Sequence, residues 1–169
     1  MTRLSAMLRD RRGAAAVEMV MVMPLLLIIM FGATELGRFF WSEHRLVKAV
    51  RDASIYASRQ QIDNFDCTNS TISSAVTTAT RNLIKTGELS GGTEQLPNWD
   101  DGGASIALTL TCVTSAGGTT LSGIYTANQG KVPVINITAT LPYNSIMHGF
   151  GLDSALTMRA KQEAAVMGV

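Results

Sequence analysis

A chain of 169 residues with a formal net charge of +1 has room for one membrane element and a modest domain. Its overall charge balance argues for neither a nucleic acid nor an acidic substrate. Only 16% of the residues are charged against 46% hydrophobic, and much of that hydrophobicity sits in one stretch. The remainder, rich in Thr, Ser, Gly and Asn and short of aromatics, must fold around a small core.

Residues 1–13 form a basic leader, with Arg3, Arg9, Arg11 and Arg12 set against Asp10. A positive flank beside an apolar run keeps an N-terminus in the cytoplasm, which would place the rest of the chain across the membrane. No charged side chain occurs from Met19 to Thr34, and counted from Ala14 the run holds Glu18 as its only charge. About 20 apolar residues suffice to cross the hydrocarbon core as a helix. A cleavable secretory signal shares this layout. However, Phe31-Gly32-Ala33 puts an aromatic where such a cut wants a small residue, and the apolar run is long for such a signal. Retention of the segment is favoured, with any cut before it.

Residues 14–59 read as one long helix, with a membrane portion at 14–36 and an amphipathic extension at 37–59. Pro24 removes one backbone hydrogen bond and is expected to bend the helix rather than end it. That bend is either simply tolerated or a local unwinding used in packing. Beyond the span, Leu36, Phe39, Glu43, Leu46, Val50, Ala53 and Ala57 recur at three- and four-residue steps. The stripe either docks on the chain's own domain or packs against partner helices, and the two can coexist. At 1.5 Å per residue the helix would be roughly 69 Å long, about twice a membrane thickness. Phe39, Phe40 and Trp41 mark the outer membrane boundary, where aromatic rings prefer to sit.

From Gln60 the composition changes, and residues 60–169 read as a small α+β domain. Residues 63–69 read as a loop. A short helix is expected at 71–85, with Ile72, Val76, Ala79 and Leu83 on one face and Gly87 just beyond. Residues 87–103 are turn-rich. Ile106, Leu108, Leu110 and Cys112 alternate with polar or small neighbours in a first strand. Residues 114–130 read as a loop or ragged connection. A second strand at 132–141 puts Ile135, Ile137, Ala139 and Leu141 on one face, and a last strand carries Leu156, Met158 and Ala160. The expected architecture is therefore a long N-terminal helix followed by a short helix and about three antiparallel strands.

Two cysteines, Cys67 and Cys112, occur without a CxxC motif, and His44 and His148 have no ligand-like spacing. A non-cytoplasmic location and an even count favour a disulfide, with two free thiols as the alternative and a metal site disfavoured. There is no phosphate-binding loop, Gly149-Phe150-Gly151 being too short to serve as one, and no GxSxG. Asp100-Asp101 reads as a solvated turn, and the basic stub lacks the interleaved aromatics of a nucleic-acid platform. No catalytic residue, metal ligand or cofactor is assigned, and the chain does not read as an enzyme.

What stands out is Arg11-Arg12-Gly13-Ala14-Ala15-Ala16-Val17-Glu18. A carboxylate inside a membrane span costs a few kcal/mol, roughly 2.5–3.5 on insertion scales for Asp at a helix centre. Glu18 either reaches the nearby cytoplasmic interface by snorkelling or has a partner. If the chain is cut after Gly13, the new amine of Ala14 on one subunit can neutralise Glu18 of a neighbour in a low-dielectric stack. The spacing makes such a pairing intermolecular.

A basic leader ending in Gly, then four residues, then Glu, then an apolar helix resembles the type IV pilin processing site. Arg12-Gly13-Ala14-Ala15-Ala16-Val17-Glu18, Val22-Met23-Pro24-Leu25-Leu26-Leu27, Glu35-Leu36-Gly37-Arg38 and Lys48-Ala49-Val50-Arg51-Asp52-Ala53-Ser54-Ile55-Tyr56-Ala57 resemble the TadE-like pseudopilins of tight-adherence (Flp, type IVc) pilus systems. The likeness is strong over 11–57 and weaker over 132–160, with no specific match over 60–130. The resemblance implies a minor pilin, with Gly13 the last leader residue, Ala14 the new N-terminus and Glu18 the recognition and assembly carboxylate. It implies a prepilin peptidase, other minor and major pilins, the inner-membrane assembly platform and the lipid bilayer as partners, and no nucleic acid. It also implies a single-pass inner-membrane protein with a cytoplasmic N-terminus and a periplasmic domain, and leaves open its incorporation in an extracellular pilus. Met19 stands where Flp-type sites usually have an aromatic, and Flp pilins are very short, so the likeness is to a minor subunit rather than the major one. The alternative is an unprocessed single-pass anchor presenting a periplasmic interaction domain. In either reading Pro24, Leu36, Phe39, Leu46 and Val50 are the candidate helix-packing positions.

Overall fold

A computed structural model describes residues 12–114, 118, 120–146 and 156–168. Most of the basic leader, His148 and Gly149-Phe150-Gly151 lie outside them. Helix α1 runs from Arg12 to Ser58, and the chain divides into two compact units, Met1–Phe39 and Phe40–Val169.

From Met19 to Phe31 α1 is apolar all round and exposed: Val20, Met21 and Ile28 are 71%, 75% and 70% exposed. Its most apolar window has a mean hydropathy of 2.3 and no buried residue. A helix that is hydrophobic all round needs an apolar environment. This one is long and apolar enough to cross a membrane, compatible with single-pass anchoring. The helix continues through Pro24, and the Thr34 hydroxyl turns back to donate to the carbonyl of Met30 at 2.8 Å.

The second unit is an α+β domain. Its sheet has the order β3-β4-β5, all antiparallel: β3 Ser105–Val113, β4 Val132–Pro142 and β5 Thr157–Ala165. Alternation sets its two faces. Ile135, Ile137, Ala139 and Leu141 of the central strand are fully buried, with Met158 and Ala160 of β5 and Leu110 of β3 beside them. Thr109, Thr111, Arg159 and Lys161 face solvent. Leu46, Val50, Ala53 and Ala57 of α1 are also fully buried and complete the core with Phe65, Leu96, Trp99 and Val166. The chain's end is held by its backbone: the amide of Val166 donates to Pro133 and that of Met167 to Ser58 at the end of α1, at 2.8 and 2.9 Å.

Several boundaries differ from the sequence expectation. Residues 62–72 are not a plain loop: a 3-10 turn at Ile62–Asn64 leads into a minimal hairpin of β1 Phe65–Asp66 and β2 Thr71–Ile72. The Asp66 carboxylate builds its turn, accepting from the amides of Thr68 and Asn69 and from the side-chain amide of Asn69 at 2.7, 3.3 and 2.6 Å. Helix α2 therefore starts later, at Ser74, with Ser73 as its N-cap, and ends at Thr86. Its buried face is Val76, Thr80 and Ile84, a strict four-residue step, while Ala79 and Leu83 lie half-buried on the flank. Thr80 can enter the core because its hydroxyl donates to the Val76 carbonyl at 2.6 Å. Gly87 ends α2 in the left-handed region, where a Cβ would run into the Gln95 side chain. The last strand reaches Ala165, and Leu156 precedes it, 47% exposed, its carbonyl accepting from the amide of Tyr143. The expected connection at 114–130 contains a 3-10 segment, Gly123–Asn128.

Cys67 and Cys112 form a disulfide, with Cα atoms 5.7 Å apart. It ties the β1–β2 turn to the end of β3. Beside it, buried Asn128 accepts through Oδ1 from the Cys67 amide at 3.1 Å.

Candidate functional site

The candidate site is helix α1 itself. Gly13 and Ala14 lie within its first turns, so the proposed cut would fall between two helical residues. Gly13 is exposed, with open space where a Cβ would stand. Glu18 is exposed, four residues beyond Ala14 and thus about 6 Å of rise along the helix. A carboxylate and a backbone position one turn apart on an otherwise apolar helix present one acidic group at a fixed height above the candidate new N-terminus.

The packing positions divide along α1. Pro24 lies inside the exposed apolar stretch, and Leu36 is 59% exposed. Phe39 is half-buried. Leu46 and Val50 are fully buried in the second unit. The amphipathic stripe thus serves the chain's own domain from Leu46 onward, leaving Leu36 with its side chain outward. Phe40 and Trp41, at the expected boundary, are 53% and 57% exposed. The Arg45 guanidinium lies over the Trp41 ring, 4.6 Å from its centroid. Arg45 stands four residues beyond Trp41, the i, i+4 spacing that brings two helical side chains together, and that spacing was the signal available in the sequence.

Elsewhere the domain offers little reactive chemistry. Among the described residues no three His, Cys, Asp or Glu side chains gather as a metal site would require. Asp100 and Asp101 are exposed in a turn. The hydrogen bonds from Asn69 and Thr68 hold the Asp66 carboxyl below the usual carboxylate range. Its role is to shape the turn that carries Cys67.

A single helix long and apolar enough to cross a membrane, followed by a disulfide-tied α+β domain, is compatible with a single-pass membrane anchor. Residues 13–54 match the family model of TadE-like proteins. The match begins at Gly13 and covers Ala14, Glu18, Pro24, Leu36, Phe39, Leu46 and Val50, and it stops short of the disulfide-bonded part of the domain. No curated protein matches the chain, and neither does any solved structure.

Proposed function

We propose that this chain is a minor pilin or pseudopilin in the biogenesis of a Tad-type (type IVc) pilus. The observation that carries the reading is the TadE-like match, which starts at Gly13 and runs along an apolar helix with no packing partner of its own. A prepilin peptidase cuts after Gly13, freeing the amine of Ala14. The apolar half of α1 then holds the subunit in the inner membrane and packs against other pilins and the assembly platform, with Glu18 meeting the terminal amine of a neighbour. The second unit lies in the periplasm, an oxidising compartment in which the Cys67–Cys112 bond is maintained. The protein works by assembly rather than by catalysis.

Glu18→Ala tests this reading. Removing a charge from the span makes insertion easier, by a few kcal/mol at most, so the variant should remain in the membrane fraction. Pilus assembly scored by electron microscopy should be lost. Full assembly by the variant would refute the role given to Glu18 and leave the chain as an unprocessed anchor for a periplasmic interaction domain.

A further inference from the structure

Outside its buried stripe, α1 carries a second one. Trp41, His44, Lys48, Arg51 and Ile55 follow one another at alternating steps of three and four residues, the spacing that lines side chains into a seam along one helix face. All five lie in the second unit and all are exposed. Trp41 and Ile55, at the two ends, are 57% and 43% exposed, and Val47 on the flank is 38% exposed. The opposite face of the same segment is occupied by the core, where Leu46, Val50, Ala53 and Ala57 are fully buried. The seam therefore points away from the domain, and it runs about 21 Å along the helix axis. Its ends are apolar and its middle is basic. From Trp41 to Arg59 the helix holds Arg45, Lys48, Arg51 and Arg59 against Glu43 and Asp52. Among the described residues neither Lys48 nor Arg51 is engaged in an ion pair. The Arg45 guanidinium steadies the Trp41 ring at one end. A merely solvated face accounts for the cations, but it gives no reason for Trp41 and Ile55 to share their seam.

We propose that this seam docks an amphipathic helix of a different subunit, one with carboxylates opposite Lys48 and Arg51 and apolar side chains opposite Trp41 and Ile55. The proposal rests on the reading of the chain as a pilin-like subunit that packs through α1, and it names the chemistry of the neighbour. Side chains at this spacing seat between those of a facing helix. A long cation can lay its stem on the apolar part of such a contact while its head meets a carboxylate at the rim. A second copy of this chain is the wrong occupant on charge. Parallel and in register, it would set Lys48 against Lys48 and Arg51 against Arg51. Antiparallel, with Trp41 opposite Ile55, it would set Lys48 against Lys48 and His44 against Arg51. Like charges brought face to face select against that pairing and in favour of an acidic partner. The seam thus adds specificity to a helix whose apolar stretch carries little to tell one neighbour from another.

Fluorescence anisotropy of the full chain in neutral detergent micelles tests this with two labelled helical peptides of matched length, empty micelles giving the background. Both peptides place leucine opposite Trp41 and Ile55. One carries glutamate and the other lysine opposite Lys48 and Arg51. The glutamate peptide should bind at least about tenfold more tightly at low salt, because two opposite-charge contacts replace two like-charge ones. That advantage should shrink at about 1 M salt, where the screening length is about 3 Å. Lys48→Glu combined with Arg51→Glu should reverse the preference. Equal binding of the two peptides, or a preference that survives the double reversal, overturns the proposal. Dimerisation of the unaltered chain in the same micelles, lost on Ile55→Ala, overturns it too, in favour of a second copy. In cells the double variant should still begin at Ala14 and stay in the membrane while pilus assembly is lost. A double variant that is cut and assembles fully overturns the seam alone, whereas an unaltered chain still beginning at Met1 defeats the pilin reading itself.

Discussion

Replacing Cys67 and Cys112 together by alanine removes the one covalent tie between the β1–β2 turn and the sheet. The bond closes a loop with a sequence separation of 45. The chain-entropy relation for a loop of that size gives about 4 kcal/mol at 25 °C. For a domain with this little core that is a large share of the typical 5–15 kcal/mol total. With a urea slope of about 2 kcal/mol/M, the unfolding midpoint should fall by about 2 M. The full chain in detergent micelles is the right sample, and Trp99 is the reporter, being only 5% exposed within the domain. The unaltered protein treated with reductant should show the same loss. A midpoint that moves by less than about 0.5 M in both cases would show that hydrogen bonds such as Asn128 to the Cys67 amide hold this corner without the bond, and the loop-closure reasoning would fail.

Ile137→Ala empties a fully buried position in the middle of the central strand and should cost about 2–5 kcal/mol in the same urea assay, whereas Thr109→Ala on the solvent face should stay within about 0.5 kcal/mol. Asp66 is bonded as a carboxylate in the folded chain and its pKa is lowered from 3.8. Its contribution is therefore fully present above pH 3.8 and is lost as pH falls through the depressed folded value. Asp66→Asn should lower stability at neutral pH towards that of the protonated chain and flatten that acid limb of the stability–pH curve; an unaltered acid limb would contradict the role given to its hydrogen bonds.

The parts of this fold written in local periodicity were legible in the sequence. The long helix follows from a run free of charged side chains from Met19 to Thr34, which Pro24 does not end, and the first two strands of the sheet follow from alternation at 106–112 and 132–141. Gly87 marked the end of α2 because only glycine readily takes the left-handed turn it occupies. What was missed depends on contacts distant in sequence. Leu156 alternates correctly with Met158 yet falls just outside the ladder, because β4 ends its pairing at Pro142↔Thr157. The register of α2 was off because Thr80 reads as polar until its hydroxyl is seen bonded to its own helix. The burial of Leu96 and Trp99 in a turn-rich stretch, and of Asn128 beside a cysteine, leaves no periodic trace.

The candidate site divides in the same way. Gly13, Ala14 and Glu18 were readable because a single carboxylate stands out in an apolar helix, where leaving it unpaired is costly. Which packing residues serve the chain itself was not readable, since Leu36 and Leu46 belong to the same stripe and differ only in burial, 59% exposed against none. The outward seam from Trp41 to Ile55 was only half readable: its basic residues fall off the buried stripe, but nothing in the sequence shows that Ile55 stays exposed.

The mass of the intact protein taken from native membranes tests the central claim most directly, because it reads the N-terminus without assuming any function. A chain beginning at Ala14, with or without a methyl group, is the expected result and places Glu18 one turn from a free amine. A chain still beginning at Met1 or Thr2 would contradict the account and leave an uncut membrane anchor.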